Sequence, residues 1–138
     1  MTDVVLDFID PVSNGPLAGR EDDWSLVTEY RVRLASKERD WLEAERLQQI
    51  RVSWDRQRAQ SSLAVTAGRR DGPQRHAIQT LGTSLQELAN IQRERGNPAC
   101  TASYREALDL ATAVGERVGQ AACAFNLGHA YKDIIDLA

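Results

Sequence analysis

Apolar residues return every three or four positions through most of the chain, and where that rhythm breaks the residues are mainly Gly, Pro, Asp and Asn. A period of this kind belongs to helices that bury one face. Trp24, Val27, Tyr30 and Leu34 mark a first such face, with Asp22 or Asp23 placed to cap the helix. Trp41, Ala44, Leu47, Ile50 and Trp54 mark a second, opened by Asp40 and Glu43 as a capping-box-like pair. The pattern then fades through Arg56, Arg58, Ser61 and Ser62, so this helix is predicted to end before Gly68, with 67–72 as a loop. Pro73 suits the first turn of a third helix, whose stripe is Ile78, Leu81, Leu85, Leu88 and Ile91. Gly96 ends it, behind the C-terminal cations Arg93 and Arg95. Asn97-Pro98 predicts the cap and first turn of a fourth helix, faced by Tyr104, Ala107, Leu108, Ala111 and Val114 and stopped by Gly115. A fifth runs from about Val118 to the chain end, with Ala121, Ala124, Phe125, Leu127, Gly128 and Tyr131.

No strand pattern of any length interrupts the series, so the fold class expected is all-α, with five helices in antiparallel pairs. Residues 1–21 read as a non-helical lead. Val4, Val5, Leu6, Phe8 and Ile9 are followed at once by Asp10-Pro11, Asn14-Gly15-Pro16 and Gly19. The helical domain is then 22–138, divided as 22–68, 73–115 and 118–138. Leu88-Ala89 and Leu127-Gly128 lie 39 residues apart, each a large apolar residue followed by a small one at the same depth in its helix. A fixed period of this size points to stacked helix pairs, and a small residue lets two helices cross closely. A Leu at Ala89 or Gly128 is expected to cost roughly 1–3 kcal/mol by overpacking.

At these residues the chain resembles the tetratricopeptide repeat family. The family's large-small pair, turn Gly, and aromatic and Ala positions are matched by Leu88-Ala89, Gly96-Asn97, Tyr104 and Ala107. The next copy begins at Phe125-Asn126-Leu127-Gly128-His129-Ala130-Tyr131. In a weaker first copy Arg39-Asp40-Trp41 replaces the turn, Ala44 follows it, and Arg31-Val32 stands where the large-small pair belongs. The stretch Ala111–Gln120 is similar to the longer repeats of kinesin light chains and bacterial signalling proteins. Ile135 falls where the last copy's turn Gly should be.

The resemblance implies a short solenoid that acts as a scaffold for protein–protein interaction, with a peptide or partner helix on its concave face. Carried over by position, that face holds Gln86, Asn90, Arg93 and Glu94 in one copy. Phe125, His129, Lys132 and Asp133 belong to the next, and Glu29, Arg33 and Lys37 to the first. Asn90 has both a donor and an acceptor for a peptide backbone. Arg33, Arg93 and Lys132 are placed to receive carboxylates. The resemblance also implies an alternative, a regulatory or sensor arm of a bacterial signalling enzyme such as a protease. The uncovered flank with Ile134, Ile135 and Leu137 leads to the expectation that the chain is a fragment, or that it self-associates or takes a helix from another chain.

Composition changes this picture little. Net charge is −3, with −6 over residues 1–30 and +4 over 45–75. Two stretches of opposite sign attract one another or are solvated. A nucleic-acid strip along Arg46, Arg51, Arg56, Arg58, Arg69, Arg70 and Arg75 would call for more overall basicity and interleaved aromatics. Cys100 and Cys123 form no CxxC pair and read as packed thiols. His76 and His129 belong to no HExxH, and phosphate-loop, dinucleotide and GxSxG motifs are absent. The carboxylates Asp22, Asp23, Glu43 and Glu45 read as caps and solvated positions, and Trp24, Trp41 and Trp54 as a core cluster. The expectation is a non-enzymatic, cytoplasmic chain with no cofactor, no metal and no membrane partner.

Overall fold

The computed structural model describes residues 9–10 and 15–137, at 137 the backbone only. The expectations resting on Val4, Val5, Leu6, Phe8, Pro11, Asn14 and the Leu137 side chain lie outside the described residues. Five α-helices follow in order: α1 Glu21–Lys37, α2 Trp41–Leu63, α3 Gly72–Glu94, α4 Cys100–Val114 and α5 Arg117–Leu137. A single 3₁₀ turn, Ala67–Arg69, lies between α2 and α3. The described residues contain no β-strand. Their one β-type contact is an isolated bridge between Ile9 and Pro16, beside which Asp10 N donates to Gly15 O at 2.8 Å. Gly15 and Pro16 sit beside Ile50 and Trp54 of α2, so this part of the lead lies on the helical domain.

The helix ends follow local chemistry. Asp40 caps α2 by accepting from Glu43 N at 3.2 Å, but the Glu43 carboxylate turns to Arg46 instead of closing the box. Asp71 and Gln74 form a complete reciprocal box at the start of α3, with Pro73 in its first turn. Two expectations are corrected. Asp22 and Asp23 lie inside the first turn of α1 and do not cap it. The cap position is Arg20, whose Nε pairs with Asp23 at 3.0 Å. Pro98 precedes α4 instead of opening it. Asn97 Oδ1 accepts from Ala99 N at 3.0 Å, and the helix begins at Cys100.

Each helix packs principally on the next: α1 on α2, α2 on α3, α3 on α4, α4 on α5. The expected stripe of α3 is buried throughout, and its first four members join Val52, Ala59, Ala107, Leu110, Val114 and Cys123 in the central cluster. Val32, Ala35, Ala44, Leu47 and Ile91 form a second cluster joining α1, α2 and α3. Ala89, Cys100, Tyr104, Leu127 and Ala130 form a third, joining α3, α4 and α5.

α1 is rotated from its expected facing. Trp24, Thr28, Val32 and Ala35 are buried, while Tyr30 and Leu34 are exposed. The short side chains of Thr28 and Ala35 allow a close approach that Tyr30 and Leu34 would prevent. The tryptophans do not form one cluster. Trp24 and Trp54 meet edge to face with centroids 5.9 Å apart, and Trp41 packs on the second cluster.

Candidate binding groove

α1 and α3 both pack on α2, and residues of all three line a groove of about 360 Å³. Val32, Trp41 and Ile91 contribute its apolar surface, and all three belong to or pack on the second cluster. Its polar surface comes from Glu29, Arg33 and Ser36 of α1, Arg51 of α2, and Glu87, Asn90 and Glu94 of α3. Four residues placed on the concave face by the repeat register, Glu29, Arg33, Asn90 and Glu94, therefore meet at one site.

The charges in the groove are mostly spent. Arg33 Nη2 holds Glu29 Oε1 at 2.7 Å, and Arg51 Nη1 holds Glu87 Oε2 at 3.2 Å. Glu94 makes no ion pair with another described residue. Asn90 Oδ1 accepts from the hydroxyl of Tyr104, a side chain otherwise fully buried. That bond engages the acceptor expected to serve a peptide, while the amide N–H donors make no bond to another described residue. Burial also pushes the Tyr104 phenol above its ordinary pKa.

The remaining expected site residues lie elsewhere. Arg93 Nε grips Asp133 Oδ2 at 2.7 Å, so it ties α3 to α5 and is not an open receiver for a ligand carboxylate. Gln86 Oε1 receives a long contact from the Cys123 thiol, 3.7 Å. Lys37 is exposed and does not line the groove. Phe125 and His129 stack edge to face at 4.4 Å on the outer side of α5, with Lys132 exposed nearby. Of the repeat positions, Leu88, Ala89, Tyr104, Ala107 and Leu127 are buried as expected. Gly128 and Tyr131 are exposed, and a Cβ at Gly128 would meet nothing within 4 Å among the described residues. The expected overpacking cost at Gly128 therefore does not apply.

Sequence reasoning missed Val32, Ser36, Trp41, Arg51, Glu87 and Ile91 as groove residues. Val32 and Trp41 carry a signal, since an apolar residue beside a charged helix face can floor a cleft. Nothing in the linear order pairs Arg51 with Glu87.

The carboxylates expected to be solvated include one that is not. Glu45 is buried and takes Arg95 Nη1 at 2.9 Å and Asn97 Nδ2 at 3.0 Å, clasping α2 to the α3–α4 turn. The arginines of 46–75 are largely engaged within the fold. Arg46 pairs with Glu43, Arg51 with Glu87 and Arg56 with Glu106. Arg70 and Arg75 donate to carbonyls at the ends of α2 and α4. Both thiols are buried, and burial raises their pKa values. Among the described residues no group of three or more His, Cys, Asp or Glu is placed to hold a metal, and no helix is long and apolar enough to cross a membrane.

No family model matches the chain, and neither a curated protein nor a solved structure shows significant similarity to it.

Proposed function

We propose that the chain is a short stack of helix pairs of the tetratricopeptide kind and that it binds an extended segment of another protein in the groove between α1 and α3. The stacked reading is supported by apolar clusters shared between alternate helices and by one ion pair. Val32 and Ala35 of α1 share a cluster with Ile91 of α3, and Ala89 of α3 shares one with Leu127 and Ala130 of α5. Arg56 reaches from α2 to Glu106 of α4. We read the odd-numbered helices as one layer and the even-numbered helices as the other, an arrangement suited to a solenoid.

The observation that carries the binding reading is the joining of an apolar floor to two uncommitted polar groups, the Asn90 amide N–H and the Glu94 carboxylate. Val32, Trp41 and Ile91 suit an apolar anchor side chain. The Asn90 N–H suits a peptide carbonyl, and Glu94 suits a Lys or Arg beside the anchor. The ligand is therefore an apolar-plus-basic segment, not one held through its carboxylates by Arg33, Arg93 and Lys132, because Arg33 and Arg93 already hold carboxylates.

A peptide-display library panned on the chain tests this, with enrichment of an apolar residue next to Lys or Arg expected. Glu94→Lys and Asn90→Asp should each weaken the selected peptides about tenfold or more while the melting temperature holds. Asn90→Asp keeps the acceptor for Tyr104, whereas Asn90→Ala would strand a buried hydroxyl at about 1–3 kcal/mol and confuse stability with binding. Lys132→Ala should have no effect. Peptides that bind equally well to both groove variants would refute the assignment.

A further inference from the structure

Among the described residues, α5 is packed on one side only. Cys123, Leu127 and Ala130 turn onto α3 and α4. The other side carries Val118 (82% exposed), Phe125 (67%) and Ile135 (71%), interleaved with exposed Ala121 and Gly128. Spacings of three, four and seven set these residues in one stripe along the helix. The stripe is in register with one that already has a partner. Gly82 and Ala89 stand 39 residues before Ala121 and Gly128, on the side of α3 that meets α4. A Cβ at Gly82 would lie 3.8 Å from Leu110 Cβ, and Ala89 packs with Cys100 and Tyr104. The small residues that admit a neighbouring helix to α3 thus recur on α5 with no helix against them among the described residues.

We propose that this stripe docks on a second copy of the chain, with α5 packed antiparallel against its own counterpart across a two-fold axis. A contact of this symmetry must be self-complementary, and the stripe is. An axis crossing between positions 126 and 127 sets Phe125 over the Gly128 notch of the second copy, and the reverse. It sets Val118 against the second copy's Ile135, and it lays the Lys132 stem across the second copy's Ala121. The ends also match in charge, because Arg117 falls opposite the second copy's Asp136. Neither Arg117 nor Asp136 makes an ion pair with another described residue of its own chain. A helix of unrelated sequence would need no such palindrome of size and charge. One helix pair is a small interface beside the roughly 1,200–2,000 Å² of stable complexes, so the dimer is expected to be concentration-dependent.

Sedimentation equilibrium over a concentration series tests the proposal. The expected result is a monomer–dimer equilibrium in the micromolar range. Phe125→Glu should abolish it with helicity and melting temperature retained, since Phe125 is exposed within one chain. Arg117→Asp and Asp136→Arg should each weaken the dimer several-fold, because each pair occurs twice. Both changes in one chain, or an equal mixture of the two single variants, should restore it. Wild-type protein that stays monomeric into the high-micromolar range overturns the proposal. So does a dimer that ignores Phe125→Glu and the charge exchange, which would place the contact on another surface.

Discussion

Asp55 lies on the buried side of α2, where its carboxylate accepts from the Ser84 hydroxyl of α3. Burial raises its pKa, and that outweighs the lowering by Ser84, Arg51 and Arg58. A carboxyl whose folded pKa lies above its unfolded value favours folding fully below the unfolded pKa. The advantage is lost as pH rises through the folded pKa, so at neutral pH the charged form burdens the fold. Asp55→Asn keeps an acceptor for Ser84 and removes the charge. Its urea midpoint should exceed wild type at pH 7, and the gain should shrink as pH falls through the carboxylate range. A gain that is constant with pH would rule out this cause. Ala89 and Gly128 make a second contrast. Ala89 is fully buried against α4 and α5, so Ala89→Leu should cost roughly 1–3 kcal/mol. Gly128→Ala, in protein too dilute to associate, should instead add about 0.5–1 kcal/mol through helix propensity alone. Urea unfolding measures both.

Three helices end in one turn. Asp40 N bonds Ala35 O at 2.8 Å, Asn97 N bonds Gln92 O at 2.8 Å, and Glu116 N bonds Ala111 O at 2.9 Å. The residue before each donor is left-handed: Arg39 at φ 58°, Gly96 at 75° and Gly115 at 70°. Two of these are the glycines that the turn favours, and the third is an Arg held where a Cβ is strained. Arg39→Gly should therefore raise stability by about 1 kcal/mol without altering α1 or α2, as thermal melts and circular dichroism can check. This turn explains why the alignment of Arg39-Asp40 with Gly96-Asn97 was legible despite the missing Gly, since the 6→1 bond is made by backbone. α3 and α4 were legible because each buries one continuous apolar stripe. The second half of α2 was not. The buried side of α2 carries Gln48 and, in that second half, Asp55 and Ser62; Gln48 donates to Ser84 O of α3 at 2.9 Å, and Asp55 accepts from the Ser84 hydroxyl. A polar stripe that is paired in space looks solvated in one dimension. Arg33, Asn90 and Glu94 could be placed by helical register, but Arg93 meets Asp133 across 40 positions, and no local pattern announces that pairing.

For the whole molecule, packing in sequence order makes stability a matter of neighbours. α3 belongs to all three apolar clusters, whereas α5 enters two of them through Cys123, Leu127 and Ala130. A helix that the described residues pack on one side only can open while the rest stays folded, so amide protection should grade along the chain. Amides of α3 should exchange only through global unfolding, and those of α5 at a distinctly lower free energy. The Arg93–Asp133 pair pins α5 near its end, and Arg93 holds the Asp133 carboxyl below its ordinary pKa. A depressed pKa contributes above the unfolded value and is lost as pH falls through the folded one, so acid should loosen α5 before α3. Asp133→Asn should reproduce that loss at pH 7 and leave α2 unchanged. Higher protein concentration should act in the opposite sense, protecting the α5 amides alone as its stripe finds a second copy. Native-state hydrogen exchange reads all of these from one set of samples. Uniform protection across α1 to α5 would mean a single cooperative bundle, and the layered reading would then be wrong for this chain.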